Sequence, residues 1–135
     1  MIQRIQTVYL SLAVLINLSI FFSPIYRHAV NDPSTWIGTG FAGFLTVAMV
    51  LSLISIFFYS NRINQIKWVK AASYFQIASL GIAVAILFTM GGFGKFLWKE
   101  VISTGLLFVS LILLWIAGRR IKKDQELVDS MDRIR

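Results

Sequence analysis

Charged residues are absent from four long stretches of the chain. The stretches have 22, 29, 24 and 18 residues, and they cover 5–26, 33–61, 71–94 and 101–118. An apolar stretch of about 18 residues or more is long enough for an α-helix to cross a hydrocarbon core about 30 Å thick. The pattern therefore predicts an all-α membrane protein, with four transmembrane helices joined by short loops into an up-down antiparallel bundle.

Turn-forming residues set the predicted limits of these helices. Pro24 follows the first stretch, a polar cluster at 31–34 precedes the second helix, and glycines at 91–94 allow a tight reversal after the third. The first stretch is longer than the apolar part of a signal peptide, so we interpret it as a retained span. The predicted bundle domain covers 1–118, with helices at about 5–23, 40–60, 70–90 and 101–118. Its predicted loops lie at 24–37, 61–70 and 92–100.

The final segment, 119–135, has a different pattern. Leu127, Val128, Met131 and Ile134 recur at helical spacing, with charged residues between them. We predict an amphipathic tail helix, whose apolar stripe rests on the 62–70 segment, the membrane surface or a partner protein. Its basic residues can contact anionic lipid headgroups. The residues predicted to bind a partner or lipid are Gln3, Arg4, Arg119, Arg120, Lys122, Lys123, Leu127, Val128, Met131, Arg133 and Ile134.

The distribution of Lys and Arg predicts the orientation of the bundle. Ten of these residues lie near the two termini or in 62–70, against three on the alternate side. The positive-inside rule therefore places both termini, and with them the tail helix, in the cytoplasm. Only 14% of the residues are charged and 57% are hydrophobic, which excludes a water-soluble enzyme. The net charge of +7 follows from this topology, and we expect no nucleic-acid partner.

None of the four stretches contains an ionisable side chain, on which proton relays and ion sites within a membrane depend. The strongest polar groups inside the predicted spans are Asn17 and Gln76, which we expect to form hydrogen bonds between helices. Ser79 and Gly81 lie among the small residues of the third helix, where they favour close interhelix contact. In an alternative interpretation, Asn17, Gln76 and Thr89 line a transport path.

Catalytic and metal-binding motifs give no further function. The single histidine, His28, cannot fill a zinc shell with Asp32, and no serine nucleophile can be assigned to it. Phosphate-loop, dinucleotide and metalloprotease motifs are absent from the sequence, and so is cysteine. We therefore predict no enzyme activity, cofactor or metal. A membrane enzyme would instead require a cavity where His28, Asp32 and Glu100 converge.

The two ends of the chain resemble the signature ends of a bacterial family, domain of unknown function number 4293. The similarity lies in MIQRIQTVYL at 1–10 and IKKDQELVDSMDRIR at 121–135. The resemblance implies a multi-pass protein of the bacterial inner membrane with four spans and no assigned activity. It also implies that the cytoplasmic ends carry what the family shares, and it supplies no catalytic residues.

These observations predict a non-catalytic accessory or assembly subunit of a larger bacterial inner-membrane complex. Its expected contacts are packed helices and the cytoplasmic ends, bound to a membrane protein partner or to further copies of the chain. The alternative is a small oligomeric channel or transporter. The contrast between an interior without ionisable groups and a patterned tail favours the first interpretation.

Overall fold

The computed structural model describes residues 2–31, 33–90 and 98–134, with side chains from Arg4 onward. Helices hold 92% of the described residues, and no strand occurs among them. The helices are α1 (Ile2–Ile20), α2 (Pro24–Asn31), α3 (Thr35–Phe57), α4 (Arg62–Thr89) and α5 (Trp98–Ile134). The prediction of an all-α fold is confirmed.

Helix length and composition are suited to a membrane. α3, α4 and α5 are each long and apolar enough to cross one, and α1 and α2 together form a fourth candidate span with a bend of 51°. In the most apolar 18 residues of α3, α4 and α5, only 28% to 33% are buried within the chain. Most of the residues in these windows are therefore at least partly exposed, which is favourable for apolar side chains in hydrocarbon and unfavourable in water.

The predicted basic loop at 61–70 is wrong, because α4 begins at Arg62. Asn61 is the N-cap residue, and its side chain accepts a hydrogen bond from the backbone N–H of Asn64. Lys67 and Lys70 are exposed on the first turns of α4. Long basic side chains can remain hydrated there while the helix continues, so the limit of an uncharged stretch is not the limit of a helix.

The predicted loop at 24–37 is also wrong for most of its length. Pro24 is the first residue of α2, a position that needs no backbone N–H, and α3 already begins at Thr35. Ile25 and Ala29 are buried on one face of α2. A proline that ends one helix can thus begin the next. The predicted reversal at 91–94 and most of the 92–100 loop lie outside the described residues, as does the side chain of Gln3.

The contacts between helices define two ends of the molecule. Arg62 contacts Asp124, whereas Gln76 contacts Leu107, so residue numbers rise along α4 as they fall along α5. We call the end that holds the start of α1, the 58–61 turn and residues 119–134 the tail end, and the opposite one the far end. α5 also packs along α1, and α3 packs along α4. α5 runs without interruption from the far end through the tail end.

A close approach of backbones joins α2 to α3 at the far end. Gly38 is buried, and a Cβ atom placed on it would lie 2.6 Å from the carbonyl oxygen of Ala29 and 3.2 Å from the Cα of Val30. No side chain fits in that space. Phe41 and Leu45, which follow Gly38 on α3, belong to the same apolar core as Ile25 and Ala29.

Candidate functional site

A buried amide pair joins α1 to α4 in the middle of the molecule. The Asn17 Nδ2 donates to Gln76 Oε1 at 3.0 Å, and the Gln76 Nε2 donates to Asn17 Oδ1 at 3.1 Å. Both side chains are completely buried. The two amides therefore satisfy each other, which removes most of the cost of placing them in an apolar interior.

The pair extends to α5 through two further hydrogen bonds. The Ser110 hydroxyl donates to Asn17 Oδ1 at 3.1 Å, and the Gln76 Nε2 also donates to the backbone oxygen of Leu107 at 3.3 Å. Sequence reasoning missed Ser110, because a serine in a span ordinarily bonds to its own helix. Three helices therefore meet at one polar contact. Thr89, the third residue of the alternative path, donates to its own helix at Ile86.

The small residues predicted to pack on α4 behave differently from the expectation. The Ser79 hydroxyl is buried, but it donates to the Gln76 backbone oxygen of the same helix. Gly81 is exposed, and a Cβ atom added to it would meet nothing within 4 Å. The prediction of a close interhelix contact at Gly81 is wrong within this chain. Spacing alone does not determine which side of a helix faces its neighbours.

An ion pair links α4 to α5 at the tail end. The Arg62 Nε lies 3.1 Å from Asp124 Oδ2, and both side chains are largely buried. The two charges are in contact, although the N–H is not aligned for a hydrogen bond with that oxygen. The pair was not predicted, because the partners are far apart in the chain. It holds the first residues beyond Gly118 against the start of α4.

The apolar stripe of the tail leaves this packing after Asp124. Ile121 is buried, and Val128 lies partly buried beside the 58–61 turn. Leu127, Met131 and Ile134 are 54%, 69% and 87% exposed, respectively. They occupy positions i, i+4 and i+7 and so share one face of α5. The 62–70 segment does not cover them.

Basic side chains surround the same end of the molecule. The Arg119 guanidinium lies 4.3 Å from the centre of the Trp115 ring, and Arg120 lies 5.6 Å from that of Tyr9. Both contacts fall in the range of cation–π interactions. The other predicted basic contact residues with described side chains are also exposed: Arg4, Lys122, Lys123 and Arg133.

A contact between a histidine and a carboxylate lies at the far end. The His28 Nε2 is 3.2 Å from Glu100 Oε1, which joins α2 to α5. Asp32, the third residue of the possible catalytic group, lies outside the described residues. Among the residues that are described, no group of three or more His, Cys, Asp or Glu could hold a metal ion. The simplest role of this imidazole–carboxylate contact is to hold α2 against α5.

The fold and these contacts define an all-helical protein whose apolar helices are suited to a membrane and in which a buried polar contact joins three helices. The chain belongs to the family described as Domain of unknown function (DUF4293), whose model matches residues 36–134. The tail signature lies almost entirely within the match, whereas the N-terminal signature lies outside it. Searches of curated proteins and of solved structures each gave no match.

Proposed function

We propose that this protein is a non-catalytic accessory or assembly subunit of a larger complex in the bacterial inner membrane. In this proposal α1 with α2, α3, α4 and α5 cross the membrane as an up-down bundle. Both termini and the tail end face the cytoplasm. The distribution of Lys and Arg supports this orientation, since ten of the thirteen lie near the two termini or in 62–70.

The observation that carries the proposal is the exposed apolar stripe on an unbroken α5. At about 1.5 Å per residue, Leu127 lies about 13 Å beyond Gly118, and Ile134 lies about 24 Å beyond it. A helix that continues in the direction of its span carries these residues away from the membrane surface. Apolar side chains that project into water favour a protein partner, which binds them as the apolar face of an amphipathic helix.

The interior of the molecule supports a structural role. Asn17 and Gln76 are bonded to each other and to α5, so neither amide is directed into a path for a substrate. Because these amides do not line a path, they give no specific support to the channel or transporter alternative. The same satisfied contacts suit a rigid anchor that holds the tail in place. A rigid anchor reduces the entropy lost when a partner binds.

The tail stripe gives the first test of this proposal. Replacing Met131 by aspartate should abolish co-purification of a partner protein in mild detergent, because it places a charge in the centre of the apolar contact. Gln125→Glu is the matched control, since it adds the same charge on the face of α5 opposite the stripe. The measurement is quantitative mass spectrometry of proteins that co-purify with the tagged chain from its native membrane.

Two outcomes would contradict a heteromeric partner at the stripe. One is equal partner recovery with Met131→Asp and Gln125→Glu. The other is a homodimer through this face, which a Met131→Cys variant would report as a disulfide-linked dimer. The natural chain contains no cysteine, so any such crosslink must come from the introduced residue.

The proposed orientation has a separate test. A reporter enzyme active only in the cytoplasm, fused after residue 135, should be active, whereas one active only outside the cytoplasm should be inactive. Replacing Arg119, Arg120, Lys122 and Lys123 by glutamine should raise the signal of the second reporter, because the predicted cytoplasmic side then loses four of its ten positive charges. Activity of the second reporter in the natural protein would refute the orientation.

A further inference from the structure

We propose that a groove between α4 and α5 at the tail end is a binding site for one anionic phospholipid. The lipid phosphate would lie among Lys70, Arg119 and Lys122, and one acyl chain would lie along the apolar floor of the groove. The site is separate from the tail stripe and does not depend on a protein partner. It requires only that α4 and α5 are in a membrane.

The apolar part of the groove has a defined shape. Its volume is about 270 Å³, with Val69, Ile77 and Leu114 among the residues of its walls. Gly118 lies opposite Val69, and a Cβ atom added there would be 3.4 Å from the Val69 Cγ1. The absence of a side chain at Gly118 keeps this part of the groove open. An apolar channel of this kind along two spans fits a lipid chain.

The polar part begins where the uncharged stretches end. Lys70, Arg119 and Lys122 line the groove, and a second depression of about 560 Å³ shares Arg119 and Lys122 with it. Glu126, one turn further along α5, is a carboxylate in the lining of that depression. None of the three cations forms an ion pair with the described part of the chain. Their charge is therefore available to an external anion.

Two aromatic residues indicate that the junction between the apolar and polar parts of the groove lies at the level of lipid headgroups. Tyr74 and Trp115 line the same groove and are exposed, as is typical of aromatic residues at a membrane interface. The Trp115 ring also holds the Arg119 guanidinium beside the opening. A soluble anion would use only the cations, whereas a phospholipid uses both the cations and the apolar floor. Basic pockets between spans are known to bind anionic lipid headgroups.

The test uses native mass spectrometry of the purified protein with added phosphatidylglycerol or phosphatidylcholine. We expect one phosphatidylglycerol to bind more tightly than phosphatidylcholine. Changing Lys70, Arg119 and Lys122 together to glutamine should weaken that binding about a hundredfold, since each charge is worth about a factor of five.

A matched triple variant separates the groove from overall charge. Arg4→Gln, Lys67→Gln and Arg133→Gln remove the same number of positive charges from exposed residues that do not line the groove. This variant should bind phosphatidylglycerol within about threefold of the natural protein. Equal weakening in both triple variants would overturn the proposal, because it would reduce the effect to general charge attraction.

A second pair of variants tests the shape of the groove without changing charge. Gly118→Leu should reduce phosphatidylglycerol binding at least tenfold by filling the apolar floor. Gly105→Leu, on the same helix in open space, should leave binding unchanged. Unaltered binding in Gly118→Leu, equal affinity for the two lipids, or occupation of the groove by a second protein chain would each overturn the proposal.

Discussion

Replacing Gly38 by alanine is expected to destabilise the protein by about 1–3 kcal/mol, the range for forcing extra atoms into a packed site. The new Cβ would lie 2.6 Å from the carbonyl oxygen of Ala29, a backbone atom that cannot rotate away. α2 would have to move from α3, and the His28–Glu100 contact would lengthen with it. Reversible unfolding of the purified protein in mixed micelles would measure the loss.

Gly43→Ala is the matched control for this prediction. Gly43 lies on the same helix, and a Cβ atom added there would meet nothing within 4 Å. Its stability should be unchanged or slightly raised, because alanine loses less backbone entropy than glycine in a helix. Limited proteolysis should cut α2 faster in Gly38→Ala only. Equal stability of the two variants would show that α2 does not pack against Gly38 in the way described.

Replacing Gln76 by leucine should cost about 1–2 kcal/mol of stability, because Asn17 loses its amide partner in an apolar interior. Asn17→Leu should cost a similar amount. The loss of stability in the double variant should be about 1 kcal/mol smaller than the sum of the losses in the two single variants, because neither amide is then left without its partner. The measurement is again unfolding in mixed micelles, with the four proteins compared as a double-mutant cycle.

Ser79→Ala serves as the control for the amide pair. It removes a buried hydroxyl one turn away whose hydrogen bond stays within α4, so the expected loss is below about 0.5 kcal/mol. A cycle that is additive within error would mean that Asn17 and Gln76 do not interact. A Gln76→Leu variant no less stable than Ser79→Ala would contradict the buried pair directly.

The helical architecture could be predicted because its cause is local. An uncharged stretch of sufficient length suits a span, whatever its neighbours are, and α3, α4 and α5 each contain one. The ends of helices were less predictable. The pattern predicts a loop at Lys67 and Lys70, but both lie in α4, because a helix that leaves hydrocarbon can continue in water. The pattern also predicts a loop at Pro24, but this residue begins α2, because the first position of a helix needs no backbone N–H.

The candidate site was predictable in its residue types and unpredictable in its pairs. Asn17 and Gln76 were expected to form hydrogen bonds, since an amide in an apolar stretch needs a partner. Which atoms meet depends on how α1, α4 and α5 are aligned, and Ser110 became part of the contact only through that alignment. Gly81 was expected in a contact and is exposed, because its side of α4 faces outward.

The sequence by itself determined the all-helical class, the number of apolar stretches and the segregation of every charge outside them. These properties depend on the residue composition of each segment and on the spacing of apolar residues along it. Only the tertiary structure decided that Gly38 meets α2, that Arg62 pairs with Asp124 and that Leu127, Met131 and Ile134 are left uncovered. Such contacts join residues distant in the chain, and rotating one helix by a few tens of degrees would replace them with others.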